Sequence, residues 1–274
     1  MVDFIRNNKK DCLSNLENYA DIVIRKTRRF LPHIARVCLV STFIEDGYRL
    51  ITQWSDQIDF ISSLWKMNSF IIGFFLLINI ICQLMGSALI ICRYRVNSGC
   101  AILMFDVILQ TIGYGITNKV FIMRNLALIG SLLLLLAESN EKVKSYLAGL
   151  PSTGINQPKQ YMLLGGRLLV VLIFITLIHW DGGFFYLIQT LANLVLIIMV
   201  AIGLKTKLCA IILVFWLTTM NFWYNNFWYY IDRELLWDFL KYDFFQTWSV
   251  IGGLLLIVAY GPGGVSIDDY KKDW

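Results

Sequence analysis

Seven apolar runs, cut only by short polar turns, leave this chain very few ways to fold. They cover residues 70–92, 100–116, 123–137, 168–180, 187–204, 208–220 and 247–260. About 20 apolar residues in a helix cross the ~30 Å hydrocarbon core of a bilayer. Away from water, only helices and closed barrels satisfy every backbone polar group. Runs shorter than a lone span need tilt or flanking aromatic residues. Composition agrees: 57% of the residues are hydrophobic and 16% charged, against about 45–50% and 25% in soluble domains. The net charge of +5 is scattered, which suits orientation in a membrane and not nucleic-acid binding. The first ten residues hold no apolar core and no small-residue cleavage site. No cleaved signal peptide is expected, and the first helix would direct insertion.

A more polar stretch, 30–51, precedes the runs and carries Arg36, Glu45, Asp46 and Arg49. An internal repeat identifies it as a helix of the same set. Ile129-Gly130-Ser131-Leu132-Leu133-Leu134 recurs as Ile251-Gly252-Gly253-Leu254-Leu255-Leu256, and Cys100-Ala101-Ile102-Leu103 as Cys209-Ala210-Ile211-Ile212. Arg36-Val37-Cys38 has its counterpart in Arg167-Leu168-Leu169. The matches keep one order, which predicts an all-α polytopic membrane protein of about eight transmembrane helices in two four-helix repeats. The predicted units are a cytosolic segment 1–29, a first repeat 30–138, a cytosolic linker 139–160, a second repeat 161–262 and a tail 263–274. Threading eight helices from a cytosolic N-terminus puts Arg25/Lys26/Arg28/Arg29, Arg93/Arg95, Lys142/Lys144/Lys159, Lys205/Lys207 and Lys271/Lys272 on the cytosolic side. The opposite loops hold Asp56, Asp59, Asp181, Asp232, Glu234, Asp238 and Asp243. Every connection then obeys the excess of Lys and Arg on cytosolic loops, with both termini in the cytosol.

Catalytic and metal chemistry leave no signature. The six cysteines avoid the long lumenal loops and show no Cys-x-x-Cys or Cys/His spacing, so disulfides, zinc and any other metal or cofactor are not expected. No phosphate-binding glycine loop, His-Glu-x-x-His or Gly-x-Ser-x-Gly occurs, and no catalytic residue is assigned. Of the two histidines, His33 follows Pro32 at a helix start, and His179-Trp180-Asp181 ends the fifth predicted span on the lumenal side. That imidazole beside a carboxylate is either an interfacial cap or a proton-sensitive group.

Ionisable side chains inside spans are the natural place to look for a site. Glu45 and Asp46 fall in the lumenal third of the first helix. Arg49, four residues after Glu45, is spaced to pair with it on one face. Arg124, at the lumenal start of the fourth helix, is a second partner, and Asp106 and Gln110 lie one turn apart in the third. These groups either pair and fix the packing, or line a lumenal pocket with a carboxylate available to a cation. Residues 221–245 form, on this threading, a lumenal connection in which aromatic and polar residues mix, with Trp223, Phe227 and Trp228 among them. Such a segment serves as an interfacial aromatic belt, as a recognition surface, or as both.

Particular stretches resemble the Surfeit locus protein 4 family. They are Leu31-Pro32-His33-Ile34-Ala35-Arg36 through Phe43-Ile44-Glu45-Asp46-Gly47, Arg124-Asn125-Leu126-Ala127-Leu128, Pro158-Lys159-Gln160-Tyr161-Met162, Asp238-Phe239-Leu240-Lys241-Tyr242-Asp243, Gly261-Pro262-Gly263-Gly264 and the terminal Lys271-Lys272-Asp273-Trp274. The similarity runs from about Tyr19 to Trp274, and Asp106 departs from the family pattern. The family is in turn similar to DoxX-like membrane bundles. The resemblance implies a cargo receptor of the endoplasmic reticulum membrane, the intermediate compartment and the early Golgi. Its partners would be soluble secretory proteins, lipoproteins among them, recognised by N-terminal peptides of the form hydrophobic-Pro-hydrophobic. COPII coats would carry it out and COPI coats would return it through the lysines Lys271 and Lys272. Glu45, Asp46 and Asp181 are the expected partners of a client's α-amine, and Trp223, Phe227 and Trp228 of its apolar side chains. Arg36, Arg49, Arg124 and His179 are the remaining polar groups expected in or near the pocket. Membrane lipids are further partners. Self-association, or association with another chain, stays open. The competing reading is a lipid-handling scramblase or transporter, since polar groups inside a repeated bundle serve that equally well.

Overall fold

In the computed structural model, residues 26–27, 30–115, 119–146, 160, 163–169, 171, 184–231, 234–261 and 266–267 are described, and no strand occurs among them. The helices are α1 (Leu31–Thr52), α2 (Trp54–Trp65), α3 (Ser69–Ile91), α4 (Val96–Gly113), α5 (Lys119–Tyr146), α6 (Phe184–Ile202), α7 (Thr206–Tyr224) and α8 (Glu234–Tyr260), with a 3₁₀ turn at Phe227–Tyr229. Residues 163–169 are also helical. Among the described residues, five segments can cross a bilayer by length and composition: Ser69–Ile91, Val96–Gly113, Phe121–Ser139, Thr206–Tyr229 and Leu236–Tyr260. Among the described residues the fold is all-helical, and these long apolar helices are those of a polytopic membrane protein.

The polar stretch forms one continuous helix, α1, opened by Pro32 in its first turn, where the missing N–H costs nothing. It is too charged to count as a span by hydropathy, yet Arg36, Glu45 and Asp46 are all buried. Its neighbours explain how. α8 lies along it so closely that a Cβ on Gly252 would stand 2.6 Å from the carbonyl oxygen of Ala35 and 2.7 Å from the nitrogen of Leu39. Small residues let helix backbones meet in this way inside membranes. Two cross-helix hydrogen bonds reinforce the seam: the Ser249 hydroxyl donates to the Leu39 carbonyl at 2.7 Å, and Thr42 donates to that of Phe245 at 2.7 Å.

The hairpins α3–α4 and α6–α7 turn in the same way. Tyr94 N donates to Leu89 O at 3.1 Å, and Leu204 N to Met199 O at 2.9 Å. Arg95 and Lys205 then adopt left-handed backbone conformations, both with φ of 47°, to start the next helix. The buried positions repeat in step: Val96 with Thr206, Gly99 with Cys209, Cys100 with Ala210, Leu103 with Leu213 and Val107 with Leu217. The sequence alignment of Cys100 with Cys209 is therefore one residue out of register. Identity of two cysteines set that alignment, whereas the turn geometry sets the real one.

Two elements differ from expectation. Residues 54–65, expected as an open loop, form α2 across the ends of α3 and α4. Ile61 is fully buried there, Trp65 Nε1 donates to the Gly113 carbonyl at 2.8 Å, and the Tyr114 hydroxyl donates to Gln57 at 2.9 Å. Asp56 and Asp59 remain exposed on its outer side. The last helix begins at Glu234, well before residue 247, so Asp238 and Asp243 are helical and not in a loop. Hydropathy ends a span at charged residues, but these find partners in Gln53, at the end of α1, and Arg124 of α5, and the helix continues.

Candidate functional site

The charges that α1 could not leave unpaired build a buried polar cluster between α1, α3, α4, α5 and α8. Asp46 stands at its centre, 7% exposed. One carboxylate oxygen accepts from the Arg49 guanidinium, and the other from Gln83 Nε2 at 2.6 Å and Gln110 Nε2 at 2.7 Å. Three donors thus occupy the two oxygens of a carboxylate withdrawn from water. Arg49 also lies over the Tyr242 ring, 5.2 Å from its centroid. The expected Glu45–Arg49 pair does not form. Arg49 turns to Asp46, one turn away, because Glu45 faces α8.

Glu45 meets Lys241 there, Oε1 to Nζ at 3.4 Å. Its second oxygen, Oε2, is buried and has no hydrogen-bond partner. The Lys241 ammonium lies over two rings, 4.6 Å from the Trp237 centroid and 5.2 Å from that of Tyr48. Arg124, expected as a further partner of the α1 carboxylates, instead pairs with Asp243 and reaches Gln246 Oε1 at 3.3 Å. Gln53 donates to Asp238 at 2.6 Å. α8 thus turns Asp238, Lys241, Tyr242, Asp243 and Gln246 toward α1 and α5, positions spaced for one helix face.

Asp106 is fully buried, and neither of its oxygens has a hydrogen-bond partner. Gln110, its expected neighbour one turn on, bonds Asp46. Arg36 lies nearer the other end of α1, buried and paired with Glu138 of α5, apart from the Asp46 cluster.

An aromatic cluster adjoins the polar one. Phe244 is its hub, with ring centroids 5.4 Å from Phe227, 5.9 Å from Trp228 and 5.5 Å from Phe222. Phe227 is also 6.1 Å from Trp237, so Trp237 touches both the aromatic cluster and Lys241. Phe227 and Trp228 belong to this cluster; Trp223 points away and is 75% exposed. Asp181, His179, Lys271 and Lys272 lie outside the described residues. Lys241, Trp237 and Phe244 are the residues that sequence reasoning missed, although Lys241 falls within the resembling stretch 238–243. Among the described residues no group of three His, Cys, Asp or Glu is placed to hold a metal ion.

Comparison with known proteins gives the family. The model of the SURF4 family matches residues 10–274. The chain is 44% identical over 263 residues to "Surfeit locus protein 4 homolog" of Drosophila melanogaster, covering 96% of this chain and 97% of the relative. It is 35% identical to "ER-derived vesicles protein ERV29" of Saccharomyces cerevisiae, over 94% of this chain and 83% of the relative. A Surfeit locus protein 4 homolog of Schizosaccharomyces pombe is 32% identical over 89% of this chain and 82% of its own length. No solved structure matches. A match over nearly the whole length, with relatives this close, places the chain in the SURF4 family.

Proposed function

We propose that this protein is a non-enzymatic cargo receptor that binds soluble secretory proteins in the endoplasmic reticulum lumen by their N-terminal peptides. The observation that carries this reading is an imbalance of buried charge. Among the described residues of the cluster, Glu45, Asp46, Asp238 and Asp243 face Arg49, Lys241 and Arg124, and Asp106 adds a further acid. Carboxylate groups in low dielectric demand compensation, and the second oxygen of Glu45 is buried without a hydrogen-bond donor. A new N-terminus brings one, followed by apolar side chains suited to Phe227, Trp228 and Phe244. Asp46, with three donors of its own, positions Arg49 beside this site.

A relative named for vesicles derived from the endoplasmic reticulum supports the compartment. The wider reading holds eight helices with both termini in the cytosol, export in COPII vesicles, and return from the intermediate compartment and early Golgi by COPI through Lys271 and Lys272. Affinity for a hydrophobic-Pro-hydrophobic tripeptide, with its N-terminus free or acetylated, tests the recognition step. Acetylation is expected to abolish binding, and equal affinities overturn the carboxylate assignment.

A second reading, lipid scrambling or transport, is favoured by one observation: buried oxygens of Asn79, Gln83, Ser87 and Asp106 without partners along the α3–α4 hairpin. Lipid flipping in reconstituted liposomes that falls on Asp106→Leu substitution supports it; no flipping by the parent protein removes it.

A further inference from the structure

Glu45, Tyr48 and Trp237 form a site for a primary ammonium group, and we infer that Lys241 is its resident stand-in, displaced when the α-amine of a client enters. This rests on the cargo reading above and names the subsite within it. The geometry is that of an ammonium cage: two aromatic faces at 4.6 and 5.2 Å from Nζ, both within the ~6 Å over which a ring attracts a cation, and one carboxylate.

Three details mark the lysine as replaceable. Its contact with Glu45 is 3.4 Å, longer than the ~2.7–2.9 Å of a well-formed charged hydrogen bond. The other carboxylate oxygen is buried without a donor, so the cage is not saturated by the group inside it. The lysine side chain retains 14% exposure while that of Glu45 retains 4%. The cation therefore has a way out and the anion does not.

The displaced ammonium also has somewhere to go. Asp238 lies one turn back on the same helix, at a spacing that supports an ion pair, and it is only half-buried. Asp46 does not compete for Lys241, since Arg49, Gln83 and Gln110 hold both of its oxygens. Exchange of one ammonium for another keeps Glu45 compensated at every stage, which avoids burying a bare carboxylate in the empty receptor. It also sets a threshold: an acetylated N-terminus has no charge with which to replace the lysine.

The test uses full-length protein in phosphatidylcholine nanodiscs, where no lipid supplies a primary amine. The probes are n-butylammonium and a tripeptide with a free N-terminus, read by tryptophan fluorescence. Lys241→Met removes the occupant and is expected to tighten both by about tenfold, because the cage is then always competent. Unchanged or weaker butylammonium binding in a Lys241→Met protein with a cooperative melt overturns the inference. Tyr48→Leu removes an exposed wall without stranding a charge, and is expected to weaken butylammonium roughly threefold; no change there also overturns it. If butylammonium tightens and the tripeptide binds neither protein, the cage stands and the cargo reading falls.

Discussion

The hairpins α3–α4 and α6–α7 share a turn and a burial pattern, and differ in what they bury. In the first, Gln83, Asp106 and Gln110 face inward; by the register of the turn, Trp216 and Met220 stand where Asp106 and Gln110 do. The first is also tighter, with Gly86 against Gly99, where the second has Leu196 and Cys209. One backbone plan has been used twice, once as scaffold and once to support a polar cluster. The first hairpin meets α1 and the charged face of α8, and its Gln83 and Gln110 both donate to Asp46 there.

The strongest way to break this contrast is to remove the centre of the first half. Asp46→Ala strands Arg49 and two amides, and is expected to cost about 3–5 kcal/mol, seen as a large fall in melting temperature or in folded yield. Trp216→Leu in the other hairpin, which strands no charge, should fall well short of that. Next in size is the tightness of the first hairpin. A side chain at Gly99 would meet Gly86 O and Ile90 at 3.0 Å, so Gly99→Cys is expected to cost about 1–3 kcal/mol by overpacking. The equivalent residue of the second hairpin is already a cysteine, and a harmless Gly99→Cys would show that the hairpins do not differ in tightness.

Asp106→Asn is expected to melt within about 1 kcal/mol of the parent, or above it, because no charge partner is lost. A loss as large as that of Asp46→Ala would place Asp106 in the ion-pair network. The smallest effects belong to the shared turn. Arg95→Gly and Lys205→Gly each relieve a left-handed residue and are expected to stabilise alike, by no more than about 1 kcal/mol. Opposite signs would mean that the two turns are not equivalent.

Much of the fold could be read along the chain, because apolar length is a local property. The spans of α3, α4 and α7 fall close to their runs, and the charges of 30–51 did not hide a helix. What could not be read was long-range. Glu45 looked matched to Arg49 because both lie on α1; its actual cation, Lys241, comes from the far end of the chain. The start of α8 was missed for the same reason: Asp238 and Asp243 resemble loop residues until Gln53 and Arg124 are placed beside them. Trp237 and Phe244 were passed over within an aromatic segment whose helical part was not foreseen. α2 was hidden by its length, since twelve residues cross nothing and serve only to seal the ends of others.

The seam between α1 and α8 also has a bearing on how the protein is made. Lys241 follows Glu45 by 196 residues, a gap of roughly 10–40 s at ~5–20 residues per second of synthesis. Throughout that interval the first helix carries Glu45 without the cation it meets in the folded chain, and for the first part of it Arg36 likewise awaits Glu138. The first helix of the fold is thus among the last to be completed, and until α8 closes on it Glu45 stands without the lysine that compensates it.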